Sequence, residues 1–436
     1  MRSPARVWNV AAPEVRKNHV WMSLGNGVRL VFQALYFVLM ARSLGPRQYG
    51  MFAAVVAAVA IVSPFVGNGF SSLMIRRVAR DRTEFAEAFG NLLFVTLFSG
   101  LLLSVLLAPA CRVLLPRAIP SLVIAMVIIS DLLVFPYVAA AGVAFWSLER
   151  LGWTAALNVF ASCARLIGIV AIVAAHGPTV MAWSVAYLVT AALASLTAIG
   201  CALRLLGLPK LSILRIRRDL REGCTFSVGL SAQTIYNDID KTMLARLGTL
   251  DGAGIYAAAY RLIDVAFVPV SALLSAAYPG FFRHGRKGIH ATIQYGSGLL
   301  KHIMPYSLCI FAALIVCAPV VPWILGREYR EVAEALRWLA VLPVLKTLHY
   351  FCADSLTGAG YQVYRTIIQV SVALFNILVN IRIIPAYGWR GAAWSSIATD
   401  GLLAVTLWLT AAYLARSSQV RADDSSHVSD ASCIQI

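Results

Sequence analysis

Apolar residues in this chain come in long unbroken runs, neither spaced as one helical face nor alternating as in a half-buried strand. Leu122 to Val138 and Leu402 to Leu414 carry almost no polar interruption. An α-helix needs about 20 such residues to cross the hydrocarbon of a bilayer, whereas a barrel strand shows about ten residues in strict alternation. Reading each run against its polar flanks predicts spans near 20–43, 49–74, 87–111, 119–146, 152–174, 179–205, 223–247, 253–279, 296–325, 332–358, 361–385 and 389–415. In lipid every backbone N–H and C=O must bond within the chain, so the expected fold class is all-α, a polytopic membrane protein.

The connections organise these spans. Leu206 to Gly223 is the longest and most basic connection. It divides the chain into an N-terminal six-helix bundle (19–206), a basic cytoplasmic linker (207–222) and a C-terminal six-helix bundle (223–415). Residues 1–18 form a basic N-terminal segment without the apolar core of a removable signal peptide, so the first span is an uncleaved anchor. The Ser- and Asp-rich stretch 416–436 reads as a disordered tail. The halves also resemble each other. Leu44-Gly45, Tyr49-Gly50-Met51-Phe52-Ala53-Ala54, Pro64 and Arg76-Arg77 are matched by Leu247-Gly248, Ala253-Gly254-Ile255-Tyr256-Ala257-Ala258, Pro269 and Arg283. Both copies begin at odd-numbered spans, which predicts parallel repeats about an axis along the membrane normal.

Composition sharpens this picture. With 60% apolar and 13% charged residues, a soluble chain of 436 residues would be covered in exposed hydrocarbon. The net charge of +17 would suit nucleic acid if the basic residues formed a binding face, but they lie between spans. The clusters are Arg2, Arg6, Arg16 and Lys17; Arg76, Arg77, Arg80 and Arg82; Arg204, Lys210, Arg215, Arg217, Arg218 and Arg221; and Arg283, Arg286 and Lys287. Each follows an even number of predicted spans, the positive-inside pattern, which places these loops and both termini in the cytoplasm. The loops lack interleaved aromatics, so no nucleic-acid partner is expected. Eight cysteines without C-x-x-C spacing predict neither a disulfide framework nor a metal site, and no cofactor is expected.

Candidate chemistry lies in the polar residues within the spans, because an ionisable group at bilayer depth costs about 2.5 to 3.5 kcal/mol on insertion scales. Asn26, Arg29, Gln33 and Tyr36 share one face of the first span; Asn158, Ser162 and Arg165 share one of the fifth; Tyr361, Arg365, Gln369, Asn376 and Asn380 mark the eleventh. The seventh carries Ser227, Ser231, Thr234, Asp238 and Lys241 on one stripe, with Asp240 about 200° away from Asp238. The eighth adds Tyr260, Arg261 and Asp264; the tenth adds Lys346, His349, Tyr350 and Asp354. Arg29, Arg165, Lys346 and Arg365 have no acidic partner nearby in sequence and read as functional cations. Arg261 and Asp264 can instead neutralise each other at i, i+3. Asp131 and Asp400 read as isolated, protonated or helix-pinning groups, and Asp354 and Arg382 lie near predicted span ends, where they can snorkel.

The run Ala41-Arg42-Ser43-Leu44-Gly45-Pro46-Arg47-Gln48-Tyr49-Gly50, ending near Ile75-Arg76-Arg77-Val78-Ala79, resembles the polysaccharide-transporter (Wzx-type) flippases. So do Asp240-Lys241-Thr242-Met243-Leu244, Gly254-Ile255-Tyr256 and Ala259-Tyr260-Arg261-Leu262. The resemblance places the chain in the multidrug/oligosaccharidyl-lipid/polysaccharide exporter superfamily and implies about twelve transmembrane helices in two six-helix bundles around a central cavity. It also implies no catalytic residues, a polyprenyl-pyrophosphate-linked oligosaccharide as substrate, and the bacterial inner membrane as location. Polysaccharide polymerase and chain-length regulator proteins are then expected partners beside membrane lipid. Arginine forks suit phosphate oxygens and aromatic faces suit sugar rings. Arg29, Arg165, Lys346, Arg365, Gln33, Gln369 and Asn376 are therefore the expected substrate-binding set. Asp240 and Lys241, which match the family's Asp-Lys pair, and Asp264, by its depth, are the expected ion-coupling set. Three rival readings are weaker. A membrane glycosyltransferase or polymerase would need a larger loop or domain bearing carboxylates or metal ligands. A multidrug antiporter of the same superfamily would favour acidic cavity walls. A peptidoglycan-precursor flippase implies further spans.

Overall fold

The computed structural model describes residues 13–175 and 177–432. The first part of the N-terminal segment and the last four residues of the tail lie outside the described residues. Among those described, every element is helical. Eight stretches are long and apolar enough to cross a membrane. Two of these, Leu24–Phe65 and Gln362–Ser418, contain a break, at Gly45 and Gly388, and each reads as a pair of crossings. Helix Ile213–Leu247 and the pair Arg330–Leu339 and Leu342–Gly358 carry more polar residues and account for the seventh and tenth expected spans.

The breaks follow from the residues. In Pro13–Val62, Gly45 has φ 70° and ψ 170°, a left-handed position open to glycine, and Pro46 next to it has no N–H to donate. In Gln362–Ser432, Gly388 with φ 57° makes the corresponding break three residues after Pro385. The expected second span 49–74 is not one rod. It stops at Val62, turns through Ser63–Phe65 around Pro64, and restarts as Asn68–Arg80. The ninth similarly turns at Ala318–Val320 between Ile289–Cys317 and Val321–Leu325.

Two other expectations are altered at the ends of elements. The linker 207–222 is helical from Ile213 onward. Lys210 N–H donates to the Ala86 carbonyl and Ser212 N–H to Asn91 Oδ1, both at 2.8 Å. Arg77 pairs with Asp219, and Arg215 bridges Glu84 at 3.1 Å and Glu87 at 3.2 Å. The charges read as a topology signal thus also hold the linker to its neighbours. The backbone of the expected disordered tail is helical as far as Ser432. Low apolar content sets whether a segment can bury a core, not whether it can continue a helix already nucleated upstream.

The chain clusters into two units. One comprises the described residues up to Gly254 with Ile324–Glu328; the other comprises Ile255–Trp323 with the described residues from Tyr329 onward. Within the first, Phe70, Met74, Phe85, Phe89, Leu92 and Phe145 form a core against Ala194, Ala198 and Ala202, small residues that let helix Val180–Leu206 approach closely. The equivalent glycines of the two repeat copies meet in this unit: a Cβ on Gly50 would lie 2.0 Å from the Leu250 carbonyl oxygen, and one on Gly254 would lie 1.9 Å from that of Pro46. Within the second unit, Phe267, Val270, Leu274, Phe281 and Phe351 form the core, and Gly285 and Gly358 pass with similarly tight backbone contact.

Candidate functional site

Each unit holds a polar cluster at membrane depth. In the first, helix Ser121–Ile128 passes into the wide turn Ile129–Val134, where Phe135 N–H donates five residues back to Ser130 O at 2.7 Å. Pro136 follows, without an N–H of its own. Such π-type insertions recur at functional sites. The Val134 carbonyl accepts from Ser195 Oγ at 2.6 Å.

Asp131 sits on this turn. Tyr187 donates its hydroxyl proton to Asp131 Oδ1 at 2.8 Å, and Arg165 Nη2 donates to the Tyr187 oxygen at 3.2 Å. The Arg165 guanidinium lies 4.3 Å from the Phe135 ring centre and 4.5 Å from that of Tyr187. Ring faces replace part of the lost hydration of this cation. Tyr36 of the first helix stacks on Trp183 with ring centres 5.6 Å apart and lies within electrostatic reach of Arg165. The polar stripes of the first and fifth spans thus converge, with Gln33 and Arg29 one and two turns before Tyr36, both partly buried.

On helix Ile213–Leu247, Asp240 is fully buried, while Lys241 donates to Asp238. The roughly 200° between Asp238 and Asp240 expected from helical geometry separates an ion-paired acid from a sealed one. Thr242 beside them donates to the Ala54 carbonyl at 3.2 Å.

In the second unit, Lys346 is 5% exposed, and its ammonium sits 4.8 Å from the Tyr260 ring centre. Asp264, Asp400 and Tyr350 lie within electrostatic reach of it. His349, one turn on, places Nε2 3.4 Å from Asp400 Oδ1, with both side chains almost sealed from the surface. Asn376 Nδ2 donates to Thr399 Oγ1 at 2.9 Å and Ser395 Oγ at 3.2 Å, and Asn380 Nδ2 donates to Asn376 Oδ1 at 3.0 Å. Gln369 is buried on the same helix. Arg365 Nη1 donates to Asp354 Oδ1 at 3.0 Å and Thr357 Oγ1 at 2.9 Å.

Three of the four cations read as lacking an acidic neighbour therefore have one on another helix or across a turn: Arg165 reaches Asp131 through Tyr187, Lys346 lies near Asp264 and Asp400, and Arg365 pairs with Asp354. Asp354 is correspondingly buried in that pair and does not snorkel, and Asp400 is not isolated. Sequence spacing detects partners three or four residues apart. It carries no signal for pairs such as His349–Asp400, whose meeting depends on how helices are rotated. Among the described residues, no group of three or more His, Cys, Asp or Glu is placed to hold a metal ion.

The helical arrangement matches known transporters. An inward-facing multidrug resistance MATE family transporter of the MOP superfamily superposes with a TM-score of 0.73 at 17% identity, covering 90% of this chain and 95% of that one. The lipid II flippase MurJ in an inward closed conformation superposes at 0.74 with 12% identity, covering 90% and 87%. A MOP superfamily transporter from Pyrococcus furiosus, described as having a binding pocket of reverse polarity, superposes at 0.68 with 16% identity, covering 92% and 95%. At these identities the likeness is one of fold. No curated protein matches the chain by sequence. The profile of the family described as polysaccharide biosynthesis protein matches residues 15–284, more than half the chain. The chain thus has the fold of MOP-superfamily membrane transporters and flippases, and it belongs to the polysaccharide biosynthesis protein family.

Proposed function

We propose that this transporter is a flippase that moves a polyprenyl-pyrophosphate-linked oligosaccharide from the cytoplasmic to the periplasmic leaflet of the bacterial inner membrane, for lipopolysaccharide or exopolysaccharide assembly. The family supports polysaccharide synthesis, and a lipid II flippase shares the fold. The observation that carries the reading is a cation seated on tyrosine faces at membrane depth in each unit: Arg165 on Tyr187 and Lys346 on Tyr260. Cations and aromatic faces together suit a pyrophosphate joined to sugar rings. Arg29, Arg165, Lys346 and Arg365 hold the pyrophosphate in this reading, with Gln33, Gln369 and Asn376 on the sugars. Asp240, with Lys241 beside it, and Asp264 couple the movement to an ion gradient. A polysaccharide polymerase and a chain-length regulator are the natural partners for the product.

Vesicles containing the purified protein and a polyprenyl-pyrophosphate bearing a fluorescent sugar test the reading. Arg29→Ala and Lys346→Gln are each expected to slow flipping at least about ten-fold at equal protein content, since a hydrogen bond to a charged group is worth about 1.5–3 kcal/mol. Unaltered flipping in both variants sinks the substrate assignment. The same vesicles, with and without a pH gradient, examine coupling: Asp240→Asn is expected to flip downhill yet lose its response to the gradient, and a wild-type response eliminates Asp240 as the coupling group.

Orientation follows from the basic loops. Reporter fusions after Arg218 and after Arg286 are expected to read as cytoplasmic and a fusion near Arg47 as periplasmic. Reversal at two of these sites overturns the proposed direction of the termini.

A further inference from the structure

An open groove of about 590 Å³, walled almost wholly by apolar atoms, runs along the first unit between Leu133 and Tyr137 on one side and Ala192, Leu196, Gly200 and Leu203 on the other. Its outer lip is strongly exposed, with Leu196 at 73%. The groove is open at Gly200, where a Cβ would meet nothing within 4 Å. The Val134 carbonyl on the groove wall accepts from Ser195 Oγ, so this backbone acceptor has a partner within the chain. In a bilayer, a wall of this kind is filled by hydrocarbon.

Length and charge identify which hydrocarbon. From Ala192 to Leu203 the helix rises about 16 Å at 1.5 Å per residue, close to the roughly 15 Å of hydrocarbon in one leaflet. An acyl chain matches that depth, whereas a polyprenyl chain is longer than a leaflet is thick and would overrun the groove. Arg204 follows Gly200 by four residues, on the same helical face, and is exposed. Helical side chains lean toward the N-terminus, which carries Arg204 back over the Gly200 end. Arg150, also exposed, donates from Nη1 to the Leu205 carbonyl at 3.4 Å and brings a second cation to that end. Glu149 beside it is paired with Arg82 at 3.5 Å. The basic-loop pattern puts this end in the cytoplasmic leaflet.

We propose that the groove and these two arginines form a binding site for one anionic phospholipid of the cytoplasmic leaflet, its acyl chain along Leu196 and Gly200 and its phosphate at Arg204 and Arg150. The lipid bound here is not the transported substrate, although the groove wall shares the wide turn Ile129–Val134 with the Asp131 cluster.

Native mass spectrometry of the purified full chain, incubated with equal amounts of dioleoyl phosphatidylglycerol and dioleoyl phosphatidylcholine, tests it. The wild type is expected to retain one phosphatidylglycerol in preference to phosphatidylcholine. Gly200→Leu, which fills the groove from a position with open space, is expected to lose both lipids at an unchanged thermal midpoint. Leu196→Trp fills it from the exposed lip and provides the same reading should Gly200→Leu be unstable. Arg204→Gln is expected to retain lipid but to weaken the phosphatidylglycerol preference about five-fold, the contribution of one basic residue beside an anionic headgroup. The proposal is overturned if the wild type shows no preference between the two lipids, or if both groove-filling variants retain lipid as the wild type does. Complete displacement of phosphatidylglycerol by an equal amount of undecaprenyl phosphate likewise overturns it, by giving the groove to the carrier lipid.

Discussion

Alanine in place of Arg365 is expected to cut the amount of folded protein in the membrane several-fold, and a second change, Asp354→Ala, is expected to restore it. Arg365 Nη1 lies 3.0 Å from Asp354 Oδ1, and the two side chains are only 15% and 11% exposed. Removing one partner of a buried pair strands a desolvated charge at a cost of up to about 3–5 kcal/mol, whereas removing both strands none. Immunoblots of membrane fractions measure the effect. Unchanged abundance in the single variant shows that the pair is hydrated and contributes little. The double variant then separates stability from transport. If abundance and flipping both recover, Arg365 is a structural cation; if abundance recovers and flipping does not, Arg365 acts on the substrate.

The second large effect is expected at the meeting of the two repeat copies. Gly254→Ala puts a methyl 1.9 Å from the Pro46 carbonyl oxygen, and Gly50→Ala puts one 2.0 Å from that of Leu250. Backbone on the opposing side cannot rotate away as a side chain would, so the helices must separate. Overpacking of this kind costs about 1–3 kcal/mol and occasionally more. Thermal unfolding of the purified protein is expected to show a lowered midpoint for each variant. The double variant should fall by less than the sum, because both methyls force the same helices apart. Gly27→Ala is the control: its Cβ would meet nothing within 4 Å, and the change is expected to be neutral or slightly stabilising. A wild-type midpoint for both Gly50→Ala and Gly254→Ala rules out the close approach.

Part of the candidate site was legible in the sequence and part was not. The stripe Arg29, Gln33 and Tyr36 follows from helical spacing alone, and Tyr36 does reach the Arg165 cluster. The separation of Asp238 from Asp240 follows from the same geometry, and the structure shows one ion-paired with Lys241 and the other sealed. Asp131 and Asp400 stood out only as isolated acids, and Tyr187 and the partners of all three left no trace. Each lies in a largely apolar run, and its partner sits on a helix far away in sequence: Tyr187 is 56 residues from Asp131.

The order of the helical segments, the breaks near Gly45 and Gly388, and the basic connections were determined by sequence alone, because lipid removes the alternatives. A backbone that cannot hydrogen-bond to water must form helices wherever an apolar run is long enough, and glycine and proline mark where it cannot continue. Tertiary structure decided which charges neutralise one another. Electrostatic attraction falls with distance, and that distance is set by the rotation and crossing of helices that sequence spacing does not specify. It made Arg365 a partner of Asp354, placed Asp400 against His349, and linked Arg165 to Asp131 through a tyrosine hydroxyl. It also opened the groove beside Gly200, whose walls, Leu133 and Tyr137 on one side and Leu196 and Leu203 on the other, lie far apart in sequence.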